Sequence, residues 1–111
     1  MIEQSLAREV SQMEADLCSA FADPTRILIL YALNDAPRNV GDLAEELDIP
    51  QSSTSRHLKV LKDRGLVRTV RQGTSVQYHL ADPRLIEALD ILRSILRDRL
   101  AHRASLMDEV E

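Results

Sequence analysis

The chain has 111 residues, of which 44% are hydrophobic and only 3% aromatic, with three Gly, one Cys and a formal net charge of −4. That length supports one domain with a modest core, the scarcity of aromatics argues against an all-β sandwich, and no apolar run is long enough to span a bilayer. One Cys excludes an intrachain disulfide and fits a reducing compartment, and the acidic amphipathic start MIEQSLAREVSQME lacks a signal-peptide core, so cytoplasm is expected.

Residues 3–20 carry Leu6, Val10, Met13, Leu17 and Ala20 at steps of three and four, which predicts an amphipathic helix. Cys18 lies beside Leu17; a lone Cys is usually a buried structural thiol, whereas a Cys18 contact across a dimer, or its oxidation, needs an exposed one. Asp23-Pro24 opens a second helix, with Asp as N-cap and Pro at the first helical position. Its sequence TRILILYAL is apolar nearly all round, so it is expected at the buried centre. Asn34-Asp35-Ala36-Pro37 stops it.

Asn39 then caps VGDLAEEL, whose Val40, Leu43, Ala44 and Leu47 form an inward stripe. Asp48-Ile49-Pro50 reads as a turn with Ile49 pointing in, and Gln51 or Ser52 as the cap of the helix SSTSRHLKVLKDR. Gly65 ends that helix, because glycine tolerates the positive φ that a helix terminus asks for. Two β-like runs follow, LVRTVR and TSVQYHL, with Gln72-Gly73 as the hairpin turn and Val76, Tyr78 and Leu80 facing the core. Asp82-Pro83 opens a last helix expected to run to about residue 105, with the stretch MDEVE frayed.

Charge is unevenly divided. Residues 1–50 hold three basic and ten acidic residues, residues 72–111 five and seven. Between them, residues 51–71 hold Arg56, Lys59, Lys62, Arg64, Arg68 and Arg71 against Asp63 alone. An isolated basic face can be mere solvation, but here it lies on the second helix of a helix-turn-helix followed by a basic hairpin. That order suits a helix in the major groove with a wing on the backbone beside it. Ile49, Thr54, Leu58 and Leu61 share the inward face; Ser52, Ser53, Arg56, Lys59 and Asp63 share the outward one, with Ser55 and Lys62 on its flank. Gln51 suits adenine and Arg56 guanine, with Ser53 joining the base readout. Lys59 and Lys62 suit phosphate, and the wing adds Arg68, Arg71, Gln72 and Thr74.

In the last helix, Leu85, Leu89, Leu92, Leu96 and Leu100, widened by Ile86, Ile91 and Ile95, exceed what a small core can cover. A homodimer is therefore expected. Three scattered His (His57, His79 and His102) and one Cys make no metal-ligand motif. Enzyme motifs such as G-x-S-x-G, the P-loop and H-E-x-x-H are absent, so neither catalysis nor a cofactor is expected.

Residues 17–100 resemble the ArsR/SmtB family of winged-helix repressors through FADPTRILILYAL, VGDLAEEL, QSSTSRHLKVLKDRGLV and the basic hairpin RQGTSVQYHL. The resemblance implies a homodimer joined by its first and last helices, with Gln51 to Lys62 of each subunit in one half-site of an inverted repeat. It also implies repression that ligand binding relieves. Many members sense metal through a Cys pair in the helix before the turn; here that helix reads VGDLAEEL. Others use Asp and His pairs on the last helix, which here offers Asp90, Asp98 and His102 without a spaced second His. A dithiol sensor needs two Cys, and there is only Cys18.

The expectation is thus a mainly α fold with a small β-hairpin, a winged helix-turn-helix in the order α-α-α-α-β-β-α over 1–111. Its helix-turn-helix spans 39–64, its wing 66–80, and its dimerisation helices 3–20 and 82–105. Leu6, Val10, Met13, Leu17, Leu85, Leu89, Leu92 and Leu96 form the expected interface. The expected partners are double-stranded DNA, a second copy, and an unknown small effector or partner protein, with no membrane. Two rivals remain open: a metal- or thiol-responsive repressor with a non-standard site, and a winged-helix protein-interaction module.

Overall fold

A computed structural model describes residues 2–110. The chain forms α1 (Gln4–Glu9), a π-helical turn (Val10–Glu14), α2 (Ala15–Ser19), α3 (Pro24–Asp35), α4 (Val40–Leu47), α5 (Gln51–Asp63), β1 (Val67–Gln72), β2 (Ser75–Leu80) and α6 (Arg84–Val110). The amphipathic helix expected over 3–20 is therefore interrupted by one wide turn. The last helix runs past residue 105 to Val110, which corrects the expected fraying; Glu111, like Met1, lies outside the described residues.

The helix starts follow local chemistry. Asp23 Oδ1 accepts from the N–H of Thr25 at 2.8 Å and of Arg26 at 3.3 Å, and Pro24 supplies a first helical residue that has no N–H to lose. Asn39 Oδ1 accepts from the Asp42 N–H at 2.8 Å. At the end of α5, Gly65 adopts φ 75°; its N–H donates to Lys62 O at 3.0 Å, and that of Leu66 to Leu61 O at 2.9 Å. This paired closure uses two otherwise orphaned carbonyls and turns the chain into the hairpin.

Ile29, Leu30 and Leu33 of α3, Leu43 of α4, Leu58 and Leu61 of α5, Leu66, Val67, and Ile86 and Leu89 of α6 make one core. α3 lies at its centre, as its sequence predicts, with Leu28 on an open side at 54% exposure. Tyr78 and Leu80 pack on the core as the alternation predicts, while Val76, nearer the hairpin tip, is half-buried outside the cluster. Thr54 is fully buried, and its hydroxyl donates to the Pro50 carbonyl at 3.0 Å, which removes the cost of hiding an unpaired polar group.

β1 and β2 pair antiparallel from Val67↔Leu80 to Gln72↔Ser75. The two-residue turn is thus Gly73-Thr74, one residue later than expected, and Gly73 takes the positive φ of 63°. The link between α3 and α4 adds a short antiparallel bridge. The Arg38 N–H donates to Tyr78 O at 3.2 Å and the Tyr78 N–H to Arg38 O at 2.8 Å, so the base of the hairpin has a third partner. No helix among the described residues is long and apolar enough to cross a membrane.

Candidate nucleic-acid interface

α5 is anchored by Thr54, Leu58 and Leu61, all fully buried, and this fixes which side chains face outward. At 3.6 residues per turn, Ser52, Arg56, Lys59 and Asp63 stand opposite the anchor, with Ser55 and Lys62 beside them. Ser52, Ser55, Arg56, Lys59 and Lys62 are exposed, as are Gln51 and the hairpin residues Arg68, Arg71, Gln72 and Thr74. Ser53 alone of the expected set is half-buried. Its hydroxyl accepts from Arg56 Nη2 at 3.3 Å, so it restrains Arg56 more than it presents itself.

The start of α5 differs from expectation. Gln51 is the first helical residue, Pro50 takes the capping position with φ −58° and ψ 143°, and no side chain caps the end. The first N–H to find a carbonyl is that of Thr54, bonded to Pro50 O at 3.0 Å. The preceding turn is left to an outside acceptor, and the positive end of the helix dipole favours an anion there. Gln51 leans into the crease between α4 and α5: its Oε1 lies 3.9 Å from where a side chain on Gly41 would begin.

Electrostatics on the outward face are mixed. Lys59 Nζ lies 3.2 Å from Asp63 Oδ2, an exposed pair one helical turn apart. Arg56, Lys62, Arg68 and Arg71 are in none of the ion pairs among the described residues. Arg64, counted by charge with this group, turns the other way and bonds to Asp16 and Ser19 of α2. Sequence reasoning missed that role, because its partners lie some 45 residues away and no local spacing signals them.

Leu6, Val10 and Met13 of the first helical region and Leu92 and Leu96 of α6 are exposed, as are Ile91, Ile95 and Leu100. Leu89 is different: at 4% exposure it is spent on its own core, and Leu17 and Leu85 are packed against that core. Leu89 is therefore closed to a partner, while Leu17 and Leu85 are half-buried. Cys18 is exposed, against the usual habit of a lone Cys, and lines an open cleft with Leu17, Phe21 and Leu85. His57 and His79 are half-buried and His102 exposed. No group of three or more His, Cys, Asp and Glu that could hold a metal comes together among the described residues. Asp90 is already engaged, accepting from the Tyr31 hydroxyl at 2.8 Å and from Arg93 Nη1 at 3.3 Å, with that guanidinium 5.2 Å over the Tyr31 ring.

Comparison with known proteins accords with this geometry. The family model described as "Bacterial regulatory protein, arsR family" matches residues 23–69, from the cap of α3 into β1. The HTH-type transcriptional regulator CmtR of Mycobacterium tuberculosis is 41% identical over 96 residues, 86% of this chain and 75% of the relative. The HTH-type transcriptional repressor SmtB of the same organism is 38% identical over 86% of this chain, which spans only 65% of SmtB's length. Among solved structures, M. tuberculosis Rv0081 superposes with a TM-score of 0.77 at 31% identity, covering 86% of this chain and 96% of that one. A winged helix-turn-helix fold, an outward basic helix and relatives of this similarity agree: the chain belongs to the ArsR/SmtB family of DNA-binding transcriptional regulators.

Proposed function

We propose that the protein is a sequence-specific DNA-binding regulator that acts as a homodimer on an inverted repeat, and that it represses. The observation that carries this reading is the arrangement on α5 and the hairpin. An uncapped helix N-terminus, a Ser53-restrained Arg56 and the exposed cations Lys59, Lys62, Arg68 and Arg71 stand on elements that the fold presents to solvent. Arg56 suits the O6 and N7 edge of guanine and Gln51 the edge of adenine. Ser52 and Ser55 are small enough to let the helix start come close, and the lysines, with Arg68 and Arg71, neutralise phosphate. Gln72 and Thr74 at the hairpin tip complete the wing contact.

Dimerisation follows from apolar cover. Met13 is 69% exposed and Leu96 57%, and with Leu6, Val10 and Leu92 they form apolar surface that a lone soluble chain would leave wet. A second copy joined through the first helical region and α6 buries it and sets two α5 helices on one face of a duplex. Repression is the activity that the name of the SmtB relative states for that protein. We further propose that the signal does not enter through the family's usual sensors. α4 offers no thiol, Asp90 is committed to Tyr31 and Arg93, and Cys18 has no second Cys in the chain.

Selection of bound duplexes from a random pool by the purified protein tests the reading. A palindromic consensus with half-sites about one helical turn apart, ~10 base pairs, is expected. Enrichment of no sequence, or of a single unpaired half-site, would refute it.

A further inference from the structure

We infer that Arg64 is a positioning residue for DNA reading: it ties the C-terminal end of α5 to the C-terminal end of α2, so that the attitude of the first helical region is carried to the groove-facing side chains. The inference rests on the DNA-binding reading above and names a joint through which regulation of that site acts.

Residues 3–16 are exposed, and among the described residues the first helical region meets the core through Leu17, Ala20 and Phe21 at its end. A helix held by one turn is aimed by whatever grips that turn. The carbonyls there need partners, as at any helix end. Leu17, Cys18 and Ser19 receive the N–H groups of Ala20, Phe21 and Ala22 at 3.2, 2.9 and 3.3 Å. Ala20 O accepts from Arg26 Nε of α3 at 2.8 Å. Asp16 O accepts from Ser19 Oγ at 2.6 Å and from Arg64 Nη1 at 2.7 Å.

The same Arg64 nitrogen lies 2.6 Å from Asp16 Oδ1 and 2.7 Å from Ser19 Oγ, so the two N–H bonds of Nη1 are shared among three oxygens at one guanidinium corner. A cation at a helix C-terminus also meets the negative end of its dipole. The backbone of Arg64 belongs to the other partner: it closes α5, with its N–H on Val60 O at 3.1 Å, just before the Gly65 turn. Thus one residue is main chain of the recognition helix and side chain of the first. The Asp16 side chain is 63% exposed, so simple charge attraction is screened; what the contact supplies is direction, from several short hydrogen bonds meeting at one place.

The sign of one substitution separates this role from plain electrostatics. Asp16→Ala removes the Oδ1 acceptor together with a negative charge, and the loss of charge by itself tightens binding to any duplex. If the joint orients α5, the same change weakens binding to the selected site. The experiment measures affinity of the full chain and its Asp16→Ala, Arg64→Gln and double variants for the selected duplex and for a random duplex of equal length. Folded fraction is followed by circular dichroism and mass by light scattering. Each single variant is expected to lose about fivefold on the selected duplex. Asp16→Ala should hold or gain on the random one, and the double variant should lose no more than the worse single.

Tightening on both duplexes by Asp16→Ala, additive losses, or losses that simply follow the folded fraction would each overturn the joint. An unsubstituted chain that binds neither duplex would instead overturn the DNA-binding reading, and that result is seen before any variant is made.

Discussion

Raising the salt concentration should weaken DNA binding by an amount that the exposed cations set. Lys59, Lys62, Arg68 and Arg71 are exposed on α5 and the hairpin and suit phosphate rather than base edges. Four per protomer, doubled on one site, give about eight neutralised phosphates and a slope of log affinity against log salt near −7. Between about 50 and 200 mM salt that slope costs about 10⁴-fold in affinity. Lys59 is included although it pairs with Asp63 at 3.2 Å. An exposed pair of this kind is worth only about 0–1 kcal/mol, so a phosphate displaces the carboxylate readily. Lys62→Ala removes two contacts per dimer and should flatten the slope to about −5. Fluorescence anisotropy titrations on the selected duplex at several salt concentrations read this directly. A wild-type slope shallower than about −3, or a Lys62→Ala slope equal to the wild-type one, would show that the cations do not lie along the backbone.

Arg56→Ala should cost about 1–3 kcal/mol on the selected duplex and far less on random DNA, measured by competition; equal losses would make Arg56 a phosphate contact. Gly65→Ala meets no steric obstacle, since nothing lies within 4 Å of the added carbon, but φ of 75° is strained for any L side chain. A loss of roughly 1–2 kcal/mol in urea unfolding is expected, and an unchanged midpoint would refute the strain. The Asp82 carboxyl is held at about 2, first by the Arg84 guanidinium and then by the Arg84 N–H, below its ordinary 3.8. A depressed carboxylate stabilises the fold above its unfolded value, so this contribution is whole above about pH 4 and fades as pH falls towards 2. Thermal midpoints of Asp82→Asn should therefore vary less than wild type across that window, and parallel profiles would exclude the linkage.

The parts of the fold legible in the sequence are those whose causes are local. Asp23, Asn39 and Gly65 act on backbone groups within three residues, so spacing alone reveals them. The start of α5 misled because Gln51 and Ser52 look like caps. The chain instead uses Pro50, whose carbonyl is gripped by both the N–H and the hydroxyl of Thr54. The hairpin turn slipped by one because Gln-Gly and Gly-Thr both suit a two-residue loop. Register is decided further down, where Val67 opposite Leu80 and Thr69 opposite Tyr78 put Tyr78 and Leu80 against the core. The Arg38–Tyr78 bridge spans 40 positions, and no periodicity announces it.

The candidate site was legible where it is the complement of burial. Once Thr54, Leu58 and Leu61 turn inward, Ser52, Arg56 and Lys59 have nowhere else to go. Arg64 escaped that logic because charge does not say what a guanidinium touches. The stripe on α6 shows the same limit for apolar residues. Leu85, Leu89, Leu92 and Leu96 share one helical face, and period alone treats them as equals. The structure divides them between Leu89, at 4% exposure, and Leu92, at 53%. The cause is length. Twenty-seven residues make a helix, about 40 Å at the α-helical rise, while its buried apolar residues, Ile86 and Leu89, lie in its first two turns and Tyr31 of α3 reaches as far as Arg93. Beyond Leu89 the stripe continues through Leu92, Leu96 and Leu100, all more than half exposed. A sequence that keeps Leu92, Ile95, Leu96 and Leu100 apolar and exposed there is what the proposed homodimer asks for, since a second copy would give that stripe a surface to pack on.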